Sequence, residues 1–107
     1  MILSDVPRIL VCGGRDYADY LCLRNTLDRL VIDRGWVWDE EYLMPKVFII
    51  SGGAKGADEL AIEWAVVNWC EFEEYHAEWE VYGKKAGPIR NQRMLDEGRP
   101  DLVLAFP

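Results

Sequence analysis

The chain has few of the residues on which disulfide-rich and zinc-binding proteins depend. Its 107 residues include three cysteines and one histidine. No two cysteines have C-x-x-C spacing, and His76 has no second histidine beside it. This scarcity argues against a disulfide framework and a zinc site. We expect no metal ion, no cofactor and a reducing, cytoplasmic location.

Long apolar segments are also lacking. No apolar run approaches the roughly 18 residues of a membrane-spanning helix. The N-terminal segment "MILSDVPRILVC" has no basic stretch ahead of an apolar one, as an export signal would have. The sequence therefore predicts neither a membrane segment nor an export signal.

Positive charge is scarce, because 12 Lys and Arg face 19 Asp and Glu, for a net charge of −7. This balance argues against a general polyanion binder, which needs many basic residues on one surface. Six of the 12 nevertheless lie in or just after three glycine-bearing loops. Ordinary solvated loop residues are the alternative reading of this cluster. The six are Arg15, Lys55, Lys84, Lys85, Arg90 and Arg93.

Apolar patterning predicts strands alternating with helices. Residues 8–12 and 47–50 are short branched-apolar runs that end in glycines, as buried parallel strands do. Apolar residues at helical spacing predict a first helix from Tyr20 that stops by Gly35, and a second from Ala57 to near Cys70.

The second half of the chain continues this alternation. An edge strand is predicted within residues 72–77, where acidic residues interrupt the apolar pattern. Pro88 suits the first turn of a third helix that runs to about Glu97. The apolar run at residues 101–106 is the fourth predicted strand.

This order predicts an α/β fold: a single Rossmann-like domain over residues 1–107, with helices on both faces of a parallel sheet of about four strands in the order 3-2-1-4. Ligands of such sheets bind beyond the carboxyl ends of the strands. We therefore expect "GGRDY", "SGGAKGAD" and the terminal "AFP" to face one crevice.

The turn "SGGAKGAD" has the chemistry of an anion site. Glycines let the backbone approach a ligand closely, and the following helix offers unpaired N–H groups and a partial positive charge. These properties favour a phosphate at the turn. The turn matches neither a Walker loop nor G-x-G-x-x-G, and tight packing alone would also explain its glycines.

The motifs "CGGRDY", "SGGAKGADELAIEWA" and "YGKKAGPIRNQRML…DLVLAFP" together resemble the SLOG superfamily, in particular its small YspA-like, YpsA-related branch. The resemblance covers nearly the whole chain. It implies a Rossmannoid domain that binds nucleotides or nucleotide-derived ligands such as ADP-ribose-like molecules. The wider superfamily includes LOG-type phosphoribohydrolases, which cleave the base from a nucleoside monophosphate, and DprA proteins, which bind single-stranded DNA.

One departure from the family pattern concerns catalysis. Relatives continue past the fourth strand into a glycine-rich turn of the form G-G-x-G-T and a further helix, whereas this sequence stops at Pro107. In LOG-like enzymes that turn carries phosphate contacts and an acidic catalytic residue, so the resemblance leaves the catalytic residues of this chain unknown. The expectation is either a longer polypeptide or a homodimer that covers the exposed edge of the fourth strand.

The candidate ligand-binding residues come from the three glycine loops. Arg15 can clamp a phosphate or stack on a base; Asp16 can orient Arg15, accept from a ribose hydroxyl or serve the turn. Asp58 lies in the first turn of the second predicted helix, where its main expected role is to stabilise the helix dipole. The resemblance makes Arg90 the preferred phosphate ligand and Arg93 the second. The full candidate set is Gly13, Gly14, Arg15, Asp16, Ser51, Gly52, Gly53, Lys55, Gly56, Arg90, Asn91 and Arg93.

Three functions follow from these observations. The first is binding of a nucleotide or nucleotide-derived phosphate ligand; the second is a nucleoside-monophosphate hydrolase without its catalytic turn; the third is single-stranded DNA binding. The acidic total disfavours the third, so a nucleic-acid partner is not expected. Trp79 and Tyr82 precede the basic loop and are the candidates for base stacking, whereas His76 has no nucleophile partner that would indicate catalysis.

Overall fold

The structure, a computed structural model, describes residues 6–107. Residues 1–5, which belong to the segment considered above for an export signal, lie outside the described residues. In chain order the elements are β1 (Arg8–Gly13), α1 (Tyr20–Asp33), β2 (Val37–Asp39), β3 (Met44–Pro45), β4 (Phe48–Ser51), α2 (Ala57–Val67), β5 (Glu71–Glu74), α3 (Trp79–Tyr82), a 3-10 turn (Gly83–Lys85), α4 (Ala86–Asp96) and β6 (Leu102–Phe106).

Four of these strands form a parallel sheet in the order β5-β4-β1-β6. When these four strands are numbered 1 to 4 in chain order, their order in the sheet is 3-2-1-4, as predicted. Ile9 lies between Ile49 of β4 and Leu102 of β6, which makes β1 a central strand. The predicted edge strand is β5. At the other edge, β6 leaves Val103 49% exposed. The α/β class is confirmed.

Helices cover both faces of the sheet because successive residues of a strand point to opposite sides. Ile9 and Val11 pack with Leu23 of α1 and Trp64 of α2 on one face. Leu10 packs with Ile50 and with Met94 of α4 on the other. Each helix therefore buries an apolar stripe against one side of the sheet, and the loops at the strand ends are left to form the site.

The helix boundaries follow local chemistry. Asp19 caps α1, since its carboxylate accepts a hydrogen bond from the Cys22 N–H at 3.0 Å. The second helix ends at Val67, earlier than the predicted end near Cys70. The third predicted helix is α4, which begins at Ala86, two residues before the predicted start at Pro88, because the preceding 3-10 turn leads directly into it.

Three short elements, two strands and a one-turn helix, were not predicted. The segment "RGWVWDEEYLMP" forms a two-stranded antiparallel ribbon of β2 and β3, and residues between β5 and the third predicted helix form the one-turn α3. Elements of two to four residues are too short to show a periodicity, which is why the pattern did not indicate them. The ribbon stands apart from the main sheet, and its Trp38 is 52% exposed.

Two properties bear on the class of protein. In the part of the chain that the structure describes, no helix is long and apolar enough to cross a bilayer. Between residues 6 and 107, no three His, Cys, Asp or Glu side chains are grouped so that they could hold a metal ion.

Candidate functional site at the carboxyl edge of the sheet

A cleft of about 600 Å³ lies beyond the carboxyl ends of β1, β4 and β5, next to the first turn of α2 and the middle of α4. Its position is that expected for the ligand site of an open parallel sheet. The lining residues are Cys12, Gly13, Arg15, Gly52, Gly53, Ala54, Lys55, Asp58, His76, Ala77, Trp79, Arg90, Asn91 and Met94.

Three cationic side chains reach this cleft from three separate segments. Arg15 follows β1, Lys55 precedes α2, and Arg90 lies on α4. The guanidinium of Arg90 is held in place, since its Nη1 donates to the Gly52 carbonyl oxygen at 3.0 Å and its Nε to Asn91 Oδ1 at 2.9 Å. Arg15 and Lys55 are exposed, so the cleft combines one cation held by hydrogen bonds with two exposed ones.

The cleft also contains a buried carboxylate. Asp58 is 5% exposed, and burial raises the pKa of its carboxyl above the ordinary value. Backbone hydrogen bonds from Ala54, Gly52 and Asp58 itself offset part of this rise in pKa, as does the positive charge of Arg90. Asp58 therefore faces the cleft instead of serving only the dipole of α2, and its sequence position alone did not indicate this.

The backbone donors of the Gly52–Gly53 turn are largely engaged within the protein. The N–H groups of Gly52 and Ala54 bond the Asp58 carboxylate, and the Gly53 N–H donates to Ser51 Oγ at 3.2 Å. Ser51 is fully buried and in turn donates to the Asp58 carbonyl at 2.9 Å. The turn expected to offer free N–H groups to a phosphate therefore uses these three internally, and an anion has to rely on the cationic side chains.

Several glycines of the candidate set are required by close packing. A Cβ at Gly13 would lie 2.6 Å from the Phe106 carbonyl oxygen, and one at Gly14 the same distance from that of Pro107. Gly56 has φ of +85°, and a Cβ there would lie 2.1 Å from the Gly14 carbonyl oxygen. These three glycines allow the loop after β1 to lie against the chain end and the start of α2.

The terminal "AFP" does not line the cleft, contrary to expectation. The rings of Tyr17 and Phe106 pack with their centroids 5.3 Å apart, and the Gly14 N–H donates to the Pro107 carbonyl at 3.3 Å. Phe106 and Pro107 therefore lie against the loop that follows β1. The cleft opens instead above β1, β4 and β5.

A larger groove runs along α1 and has a different character. Its volume is about 1000 Å³, and its lining includes Asp19, Asp28, Asp33 and Leu104, with Arg29 as its one cation. Three carboxylates make it unsuited to an anion. The cleft at the sheet edge is therefore the candidate site for a phosphate-bearing ligand.

Comparison with known proteins agrees with this fold and loop arrangement. Residues 7–82 match the family described as YAcAr, the YspA, cpYpsA-related SLOG family. The chain belongs to this SLOG family. The match spans β1 to α3 and so includes the loops that carry Arg15 and Lys55.

The chain is similar to two known proteins. It is 39% identical over 95 residues to the Gene 61 protein of Mycobacterium phage D29, an alignment that covers 77% of this chain and 73% of that protein. Its fold is also similar to the X-ray structure of DNA processing protein A (DprA) from Streptococcus pneumoniae, with a TM-score of 0.47 and 23% identity. That alignment covers 96% of this chain but 32% of the DprA chain, so this chain spans about a third of DprA's length.

The structure brings seven of the twelve candidate residues of this SLOG domain into the cleft: Gly13, Arg15, Gly52, Gly53, Lys55, Arg90 and Asn91. The other five lie outside its lining. Gly14 and Gly56 pack backbone against backbone, Ser51 lies buried behind the turn, and Asp16 follows Arg15 in an exposed turn. The fifth, Arg93, is paired with Glu97 at 2.7 Å and lines an adjoining cavity of about 230 Å³.

Sequence reasoning missed some cleft residues of the SLOG domain. Cys12 is the last cleft residue before the glycines of the first loop, and its pKa is raised by burial and by the charge of Asp58. His76 also lines the cleft, with Nε2 3.5 Å from Glu74 Oε2. Their positions at the carboxyl ends of β1 and β5 are the signal that would have found them. Trp79, one of the two stacking candidates, does line the cleft.

Proposed function

We propose that the protein binds a nucleotide or nucleotide-derived phosphate ligand, of the nucleoside-monophosphate or ADP-ribose-like kind, in the cleft at the carboxyl edge of the sheet. The observation that carries this proposal is the convergence of Arg15, Lys55 and Arg90 from three segments on one cleft. In a chain of net charge −7, such a local concentration of cations favours an anionic ligand.

Arg90 has the geometry of a phosphate ligand. A guanidinium has five N–H donors, and within residues 6–107 two of them have protein acceptors, the Gly52 carbonyl and the Asn91 side chain. The remaining three are available to phosphate oxygens. Because the two protein bonds already fix the side chain, little of its conformational freedom is lost when a ligand binds.

An aromatic side chain supports the nucleotide part of the proposal. Trp79 lines the same cleft as Arg90 and is 50% exposed. Base-on-aromatic stacking contributes about 1–3 kcal/mol per base. The cleft volume of about 600 Å³ lies within the range of small-molecule sites.

A ligand screen tests the proposal. The melting temperature should rise with AMP, ADP-ribose or NAD, because a ligand that binds only the folded state stabilises it. A short single-stranded oligonucleotide belongs in the same screen. Stabilisation by the oligonucleotide alone would favour DNA binding and contradict the proposal.

The role of Arg90 is tested by calorimetry with whichever nucleotide gives the largest shift. Loss of a charge-assisted hydrogen bond in Arg90→Ala should weaken binding by about 1.5–3 kcal/mol. Arg24→Ala is the matched control, because Arg24 is an exposed arginine of α1 outside the cleft, and it should bind like the wild type. Equal affinity of the wild type and Arg90→Ala would refute the assignment.

A further inference from the structure

The Gly52–Gly53 turn lies between two carboxylates. A Cβ built at Gly52 would lie 2.8 Å from Asp58 Oδ2 and equally close to Arg90 Nη1, and one built at Gly53 would lie 2.5 Å from Glu74 Oε1. Asp58 is buried and lines the cleft, whereas Glu74 is an exposed residue of β5 outside its lining. Arg90 offsets the negative charge of Asp58 at Gly52, whereas the carboxylate of Glu74 disfavours a phosphate at Gly53.

The Asp58 carboxylate is an acceptor that lines the cleft. A carboxylate has about four acceptor positions, and backbone N–H groups of Ala54, Gly52 and Asp58 itself lower its pKa, so these groups lie on its protein side and a ligand can approach it from the cleft. A buried carboxylate facing a cleft pairs best with a donor, since an unpaired buried charge is costly. The ligand group at this point should therefore be a hydrogen-bond donor that carries no negative charge.

Three cationic side chains, those of Arg15, Lys55 and Arg90, line the cleft together with this carboxylate. Arg15 and Lys55 stand at the junction between the first loop and α2, where a Cβ on Gly56 would be 2.9 Å from the Arg15 carbonyl carbon. Arg90 lies near Asp58, because its Nη1 and Asp58 Oδ2 would each lie 2.8 Å from a Cβ on Gly52, and it donates to the Gly52 carbonyl. A phosphate can contact these side chains while the sugar attached to it faces Asp58.

We propose, resting on the proposed function, that Asp58 selects the ribose: its carboxylate accepts a hydrogen bond from a ribose hydroxyl, and its charge keeps the phosphate off the Gly52–Gly53 turn and on the cationic side chains. The ligand class is therefore a nucleotide whose sugar carries a free 2′ or 3′ hydroxyl. Asp58 is a specificity-determining residue of the site.

Calorimetry with AMP, 2′,3′-dideoxy-AMP and inorganic phosphate tests this role. The wild type should bind AMP about tenfold or more tightly than dideoxy-AMP, because a hydrogen bond to a charged acceptor is lost. Asp58→Asn should reduce this ratio to a few-fold and should bind inorganic phosphate more tightly than the wild type does. Glu59→Gln is the matched control, because Glu59 is an exposed acid in the same helical turn, and it should keep the wild-type ratio.

The outcomes separate this inference from the proposed function. Equal wild-type affinity for AMP and dideoxy-AMP would overturn the role of Asp58 while leaving nucleotide binding intact. An unchanged ratio in a folded Asp58→Asn would overturn it as well. No binding of either nucleotide would refute both. If Asp58→Asn does not fold, Asp58→Glu replaces it, because the charge stays while the carboxylate moves by one methylene. The ratio of AMP to dideoxy-AMP affinity should again fall. An unchanged ratio would contradict the inference.

Discussion

Replacing Gly56 with alanine should destabilise the fold far more than the same change at Gly83. Both glycines occupy a backbone region that side chains rarely adopt, with φ/ψ of +85°/−134° at Gly56 and +58°/−134° at Gly83. They differ in their surroundings. A Cβ at Gly56 would lie 2.1 Å from the Gly14 carbonyl oxygen, whereas a Cβ at Gly83 would meet nothing within 4 Å.

The magnitude follows from this pair. An unfavourable backbone conformation costs about 1–3 kcal/mol in either variant, and the change in the unfolded chain is the same for both. At Gly56 the clash adds a cost of the kind seen on overpacking, about 1–3 kcal/mol, because backbone and not a flexible side chain stands in the way. Gly56→Ala should therefore lose about 2–6 kcal/mol of stability, a large part of the 5–15 kcal/mol typical of a domain.

Urea unfolding followed by tryptophan fluorescence and by circular dichroism measures both variants. The transition midpoint of Gly56→Ala should fall well below that of Gly83→Ala, with a similar slope. Equal loss of stability in the two variants would show that the loop after β1 does not press on the start of α2. A Gly56→Ala protein that kept full stability but lost nucleotide binding would show that Gly56 serves the ligand and not the packing.

Two further predictions concern titratable groups. The pKa of Asp58 is raised in the folded protein, so the native state binds this proton more tightly than the unfolded state does. The stability of the wild type relative to Asp58→Asn should therefore rise as the pH falls from neutral through the folded pKa. A relative stability that decreases as the pH falls would contradict this sign. Burial raises the pKa of Cys70 to about 11, whereas Cys22 is exposed. A thiol reagent at pH 8 should therefore modify Cys22 rapidly and Cys70 only on unfolding. If the Cys22→Ser variant were modified at the initial rate of the wild type, this order of reactivity would be refuted.

The sequence by itself determined the fold class and the edge of the sheet at which the loops meet. The apolar runs of β1 and β4, each followed by glycines, specify buried parallel strands and tight turns, because only such strands are apolar on both faces. The spacing of Leu23, Leu27 and Val31 specifies α1, and Pro88 and Gly98 bracket α4 closely. These features are local, so a single chain segment is enough to reveal them.

Only the tertiary structure decided what the loops do at that edge. It placed Phe106 and Pro107 against the loop after β1, and it showed that Asp58, at the start of α2, is a buried carboxylate that lines the cleft. It also showed that the Gly53 N–H is bonded to Ser51 Oγ. These features depend on contacts between segments that are distant in the sequence, and the periodicity and spacing of residues carry no information about such contacts. A glycine needed for a ligand and a glycine needed for packing look the same in a sequence, because both are required by the absence of a Cβ.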